Sequence, residues 1–160
     1  MDDVVVVILA GGQSSRMGGG DKFMRPLGEN RIIDHVINRA RGMGKQIVLN
    51  ANGDAARFAD LTIPVIADLR EKGEGPLAGV HAGLNWAKQR NLAGIVTVAA
   101  DTPFFPTDLA VSLLHQSLNK THIVIAKSPG EDGRYYPQPT FGFWPVFVCD
   151  ALGKTLDDEV

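Results

Sequence analysis

The chain of 160 residues is 44% hydrophobic and 21% charged, with a formal charge of −2, a composition that suits one folded domain and excludes a disordered chain. With 16 Lys and Arg against 18 Asp and Glu, it lacks the basic excess of a generic nucleic-acid or anionic-membrane binder. A lone cysteine, Cys149, excludes an intrachain disulfide and a paired-cysteine zinc site, and fits a reducing compartment. The acidic opening Met1-Asp2-Asp3 is not that of a secretory leader, and the longest apolar run, Val4 to Ala10, is short for a membrane span. A cytoplasmic protein with neither nucleic acid nor membrane as partner is the expectation.

Val4 to Ala10 is a continuous, β-branched run closing on Gly11-Gly12, the pattern of a strand buried on both faces of a parallel sheet. Ile33, Val36, Ile37 and Ala40 recur at helical spacing, with Gly42 and Gly44 placed to stop the helix. Ile47–Leu49 predicts a second strand. Ile63–Ile66 predicts a short third one, which Pro64 assigns to an edge or an irregularity. Leu77, Val80, Leu84 and Ala87 mark a second helix, and Gly94–Ala100 a strand as buried as the first. Pro106-Thr107 is expected to open a third helix carrying Leu109, Leu113 and Leu114, with Thr107 as N-cap. Ile123–Ile125 predicts a further strand, residues 128–138 a loop, and Thr140–Trp144 a last strand. Strands alternating with helices give a single α/β domain over residues 1–160 with a mostly parallel sheet. Ligands of such sheets bind beyond the carboxyl ends of the strands.

The segment Leu9–Lys22 holds five glycines, Ser14, Ser15, Arg16 and Lys22, and residues 13–25 carry a net charge of +2. Glycines let backbone N–H groups approach an anion. Arg16 offers a planar fork to phosphate oxygens and Lys22 a point charge. These are the parts of a triphosphate cradle. The spacing matches neither the P-loop, because Phe23 follows Lys22, nor the dinucleotide fingerprint.

The sequence LAGGQSSRMGGGDK closely resembles the opening motif LAGGxSxRMGxxDK of the MobA family, the molybdenum cofactor guanylyltransferases. These transfer GMP from GTP to molybdopterin or its molybdenum-loaded form and release diphosphate. The resemblance implies a three-layer α/β/α, Rossmann-like nucleotidyltransferase fold of the GT-A type. It also implies GTP and molybdopterin as partners, alongside other cofactor-biosynthesis proteins and acceptor molybdoenzymes.

The resemblance continues in order along the chain. Asn50-Ala51-Asn52 resembles a family NAN motif whose second Asn holds the nucleotide, although an asparagine there also suits a turn. Asp68 resembles an aspartate that contacts GTP. Gly75-Pro76-Leu77-Ala78-Gly79 matches the family's GPLAG, and Pro76 is equally what helix initiation asks for. Residues 70–74 read as a mobile loop bordering the pterin. Asp101 in Ala100-Asp101-Thr102-Pro103 resembles the family's CDTP element, and a carboxylate at a strand end suits Mg2+; the alternative is a capping aspartate.

By resemblance, Arg16, Lys22 and Asp101 are the catalytic residues, and Asp101 the metal ligand. Leu9, Ala10, Gly11, Gly12, Lys22, Asn52, Asp68, Gly75, Pro76, Leu77, Gly79 and Asp101 form the nucleotide site. Gln138-Pro139-Thr140 stands where the family often has His-Pro-Thr, a partial match. His35, His81, His115 and His122 show no metal-ligand spacing, and Trp86, Trp144 and Cys149 read as packing residues. The family continues through a further strand and an Asn-x-Asn-Thr-Pro segment that returns to the metal site. These elements are expected to be missing from the 160 residues. The rival readings are a cytidylyl- or sugar-1-phosphate nucleotidyltransferase of the same fold, against which Gly12 and Asp21 argue, and a non-catalytic pterin- or nucleotide-binding module.

Overall fold

The computed structural model describes residues 1–10, 21–70 and 75–158. The elements are β1 (Val4–Leu9), a small hairpin of β2 (Pro26–Leu27) and β3 (Asn30–Arg31), α1 (Ile32–Ala40), β4 (Gln46–Asn50), β5 (Val65–Ile66), α2 (Pro76–Lys88), β6 (Gly94–Ala99), α3 (Leu109–Gln116), β7 (Val124–Pro129), β8 (Tyr135–Pro145) and α4 (Cys149–Asp158). Short 3-10 turns occupy Lys22–Met24, Ala55–Leu61 and Val146–Val148.

Every residue of β1 is buried, and alternation sends its side chains to opposite faces. Val4, Val6 and Ile8 join one core with Ile33, Val36 and Ile37 of α1 and Leu109 and Leu113 of α3. Val5, Val7 and Leu9 join a second core with Val80, Leu84 and Ala87 of α2 and Cys149 of α4. Each fully buried valine or leucine contributes about 1.5–3 kcal/mol, so a strand filled on both faces is the spine of the domain. The result is three layers, with helices on both sides of the sheet.

The six-stranded sheet has the order β5-β4-β1-β6-β8-β7. Its first four strands are parallel, and β8 runs antiparallel to both neighbours. From β1 the chain moves outward to β4 and β5, then returns through α2 to β6 on the other flank of β1. The order therefore reverses at the β1/β6 boundary, the point where open α/β sheets take their ligands.

Three expectations need correction. Residues 128–138 are not a loop: β7 runs to Pro129 and β8 begins at Tyr135, joined by a turn in which Gly133 takes φ +73°. The polarity misled because this hairpin extends past the helices, where both faces meet solvent and no apolar alternation is required. The last strand accordingly covers Tyr135–Pro145 rather than 140–144. Thr107 does not cap α3: the N–H of Leu109 donates to the carbonyl of Pro106, which makes a turn, and Asp108 precedes the helix without a side-chain cap. Elsewhere Pro64 does set the sheet edge, because β5 starts one residue after it.

Candidate nucleotide-binding site

Four strand ends lie in one row. Ile66 pairs with Asn50, Asn50 with Leu9, and Leu9 with Ala99, across β5, β4, β1 and β6. Each ladder extends one residue further: Ala51 N–H donates to Ile66 O at 3.0 Å, Ala10 N–H to Asn50 O at 2.9 Å, and Ala100 N–H to Leu9 O at 3.0 Å. Two residues past the row stand Asp68, Asn52 and Asp101. Three of the residues singled out by motif thus lie along one sheet edge, spanning about 14–15 Å at ordinary strand spacing. Gly11, Gly12 and Arg16 lie outside the described residues.

Asn50, Asn52 and Asp68 interlock. Asn50 is 1% exposed, and its Nδ2 donates to Asp68 Oδ1 at 2.9 Å. Asn52 Nδ2 donates to Asp68 Oδ2 at 2.7 Å, and Asn52 Oδ1 accepts from Asp68 N–H at 2.9 Å. Arg57 Nη2 donates to the carbonyl of Asn52 at 2.6 Å, holding that turn. The Asp68 carboxylate is therefore fixed from two directions, yet each oxygen keeps a lone pair, and Asn52 keeps one N–H and one lone pair. Asn50 was overlooked in the sequence. Its signal was a second amide two residues before Asn52, at a buried strand end, where a polar side chain must find a partner.

The first turn of α2 packs on this network. Gly75 at φ +86° makes the sharp entry that a side chain would strain, and Pro76 starts the helix. A Cβ on Gly79 would overlap Asn50 Oδ1 and come within 2.9 Å of Leu9 Cδ2. Glycine at this position is what lets the positive end of the helix approach the strand ends. Leu77, the first of the residues that mark this helix and one of those assigned to the nucleotide, is exposed on that first turn. Lys22 is exposed at the start of a 3-10 turn, and its neighbour Asp21 pairs with Arg57 at 3.4 Å.

Asp101 is exposed at the far end of the row and accepts a hydrogen bond from Thr102 Oγ1 at 3.2 Å. Among the described residues, no group of three or more His, Cys, Asp or Glu side chains is placed to hold a metal. A self-sufficient protein cage is therefore not formed there. A single open carboxylate does fit Mg2+, which takes one or two carboxylates and completes its shell with phosphate oxygens and water.

Of the loop expected beside the pterin, residues 71–74 lie outside the described residues. Arg70 is committed to α4: Nε donates to Asp157 at 2.7 Å, Nη2 donates to the Gly153 carbonyl at 2.7 Å, and Nη1 lies 3.0 Å from His81 Nδ1. Burial, and then the adjacent Arg70 cation, push the His81 imidazole below its ordinary value. His81 thus acts as a neutral acceptor for a guanidinium. His35 Nε2 lies 2.9 Å from the Leu27 carbonyl, tying α1 to the β2/β3 hairpin. Among the described residues, no helix is long and apolar enough to cross a membrane.

A family model described as a MobA-like NTP transferase domain matches residues 6–159. The chain is 42% identical to a molybdenum cofactor guanylyltransferase of Mesorhizobium japonicum, over 98% of this chain and 74% of that protein. The molybdopterin-guanine dinucleotide biosynthesis protein A of Archaeoglobus fulgidus is similar in structure, with a TM-score of 0.69 and 25% identity, over 98% of this chain and 74% of that one. A 4-diphosphocytidyl-2C-methyl-D-erythritol synthase of Anaerococcus prevotii shares the fold, with a TM-score of 0.70 and 15% identity, over 99% of this chain and 77% of that one.

Proposed function

We propose a guanylyl transfer for this chain, from the premise that it belongs to the MobA-like NTP transferase family. GMP moves from GTP to the terminal phosphate of molybdopterin or its molybdenum-loaded form, yielding the guanine dinucleotide cofactor and diphosphate. The observation that carries this reading is the single row of strand ends, with a fixed carboxylate at one end and an open one at the other.

The nucleoside lies over the end of β1, at Leu9 and Ala10, between the Asp68 network and the first turn of α2, with Gly75, Pro76, Leu77 and Gly79 against it. The Asp68 carboxylate suits guanine, whose edge presents two neighbouring N–H donors to two oxygens. Cytosine presents a single amino group there. Asn52 adds its remaining donor and acceptor. Arg16 and Lys22 hold the β- and γ-phosphates and offset the charge that collects on departing diphosphate. Asp101 holds Mg2+, which would supply charge neutralisation on the phosphate oxygens.

In the transfer, an oxygen of the acceptor phosphate attacks the α-phosphorus of GTP. One P–O bond forms, the bond from the α-phosphorus to the α–β bridging oxygen breaks, and its electron pair leaves on diphosphate. A phosphate monoester is already ionised near neutral pH, its second pKa being about 6, so no protein base is required. Catalysis is positioning and charge stabilisation.

The test follows label from α-labelled GTP into molybdopterin, with CTP and ATP as competitors, in the presence and absence of Mg2+. Transfer from GTP that needs Mg2+ is the expected result. Preferential transfer from CTP would instead identify a cytidylyltransferase, and binding of GTP and pterin without diphosphate release would identify a carrier. The chemistry belongs in the cytoplasm, among the other steps of cofactor assembly.

A further inference from the structure

Residues 53–61 lie between Asn52 and β5, and none of the motifs falls on them. Gly53 at φ +85° turns the chain away from the sheet edge, and Asp54 caps the 3-10 turn Ala55–Leu61, its Oδ1 accepting from Ala56 N–H at 2.9 Å. The turn is anchored on two sides. Phe58, which is 1% exposed, packs on Phe23 with ring centres 5.8 Å apart. Asp60 pairs with Arg31, at the start of α1, at 2.7 Å. Phe23 is the buried residue of the Lys22–Met24 turn. This 3-10 turn therefore lies between the Asn52–Asp68 network and the backbone that carries Lys22.

Arg57 reaches both. Its Nη2 donates to the Asn52 carbonyl at 2.6 Å, its Nη1 lies 3.4 Å from Asp21 Oδ2, and its guanidinium carbon sits 4.6 Å from the Phe58 ring centre. A planar guanidinium holds two acceptors in a fixed relation, which an ammonium cannot do. Stacking on a buried ring adds a third restraint. We propose that Arg57 is a positioning residue that sets the separation between the base-reading and the phosphate-binding halves of the nucleotide site. The inference rests on the guanylyl-transfer reading, which puts guanine on Asn52 and Asp68 and the β- and γ-phosphates on Lys22, and adds what holds these halves in register. GTP carries its base and its phosphates on one covalent frame. It gains from both halves at once only when their spacing matches that frame, whereas a ligand of one half is indifferent to the spacing. Arg57 acts through the Asn52 turn and through Asp21, next to Lys22, rather than on the ligand.

The experiment displaces mant-labelled GTP from the full chain, in the presence of Mg2+, with GTP, guanosine and inorganic tripolyphosphate. Guanosine probes the base half, tripolyphosphate the phosphate half, and GTP both. The Arg57 side chain is 42% exposed, so Arg57→Ala is compatible with folding. In this variant the affinity for GTP is expected to fall at least about five-fold, while those for guanosine and tripolyphosphate stay within about two-fold. Asp21→Asn removes one arm of the bridge and should reproduce the GTP-specific loss, and the double variant should be no weaker than Arg57→Ala alone. Arg57→Lys keeps the charge without the fork and should behave like Arg57→Ala. In turnover, the KM for GTP rises in Arg57→Ala while the KM for molybdopterin does not. GTP affinity that Arg57→Ala leaves intact overturns the proposal. A loss shared in equal measure by guanosine or tripolyphosphate also overturns it and makes Arg57 a local support of one half. Full recovery in Arg57→Lys overturns it as well, leaving charge alone as the role. The series is repeated with CTP and cytidine. A chain that prefers CTP contradicts guanylyl transfer, and the bridge then stands or falls on the same triphosphate-specific loss, so the two readings fail separately.

Discussion

The two halves of the sheet edge are built by different rules. Over β5 and β4, polar side chains are tied to one another: Asn50, Asn52 and Asp68 share three hydrogen bonds, and Gly79 leaves the room that Asn50 occupies. Beyond β6, an aromatic floor of Phe105 and Phe141 lies beside Lys127 and Gln138, on a hairpin that reaches past the helices. The first half resembles a preorganised reader of a polar edge, in which rigidity provides selectivity. The second is an apolar groove, which tolerates adjustment.

The sharpest way to break the contrast is at the boundary between the halves. Asp101→Ala is expected to lower kcat for diphosphate release by roughly 10²–10³ and to leave the thermal unfolding midpoint of the unliganded protein nearly unchanged, because Asp101 is exposed and makes one local hydrogen bond. Next in size is Asp68→Ala. It leaves the buried Asn50 without its closest acceptor and should cost about 1–3 kcal/mol in urea unfolding, together with most of the GTP-induced shift. An unaltered urea midpoint would show that the network does not order the strand ends. Gly79→Ala sharpens the same point from the helix side. Forcing a methyl group against Asn50 and Leu9 should cost about 1–3 kcal/mol as overpacking does, and should weaken GTP binding without any lost polar group.

The smallest expected effect concerns pH. His81 has its folded-state value below the ordinary 6.5, through burial first and the Arg70 charge second, with Asp157 and Asp150 opposing. Between the folded and unfolded values the unfolded chain binds more protons, so stability contributed by neutral His81 is full above 6.5 and declines as pH falls below it. Thermal midpoints measured between pH 7.5 and 5.5 should drop, and His81→Gln should flatten that part of the profile. An identical slope in the variant would remove His81 from the account.

The parallel half was legible in the sequence because its physics is periodic. β1 is an unbroken apolar run and β6 is interrupted only by Thr97, α1 and α2 keep helical spacing, and Gly42 follows where α1 ends. Asn52, Asp68 and Asp101 are then brought onto one edge by register, since each lies two positions past a paired strand end. The antiparallel half was poorly legible. Tyr135 and Tyr136 favour a strand, but Gly130, Asp132 and Gly133 dominate the local composition, and no buried face enforces alternation. The role of Asn50 was hidden for another reason. A residue type says that a buried amide needs a partner, but only the fold says that the partner is Asp68, 18 positions away. The helix α4 went unread although Cys149, Leu152, Gly153 and Leu156 hold helical spacing, because a stripe of two half-buried leucines, a cysteine and a glycine among acidic residues is weakly apolar.

The most direct test of the central claim, a guanine-selective site at this row of strand ends, is a thermal shift of the chain with GTP, CTP and ATP, each with and without Mg2+. A ligand at 100 times its Kd should stabilise the protein by about 2.7 kcal/mol. The account predicts a shift that is largest for GTP, enhanced by Mg2+, and lost in Asp68→Ala. A larger shift with CTP, equal shifts with all three nucleotides, or a GTP shift that survives Asp68→Ala would contradict it.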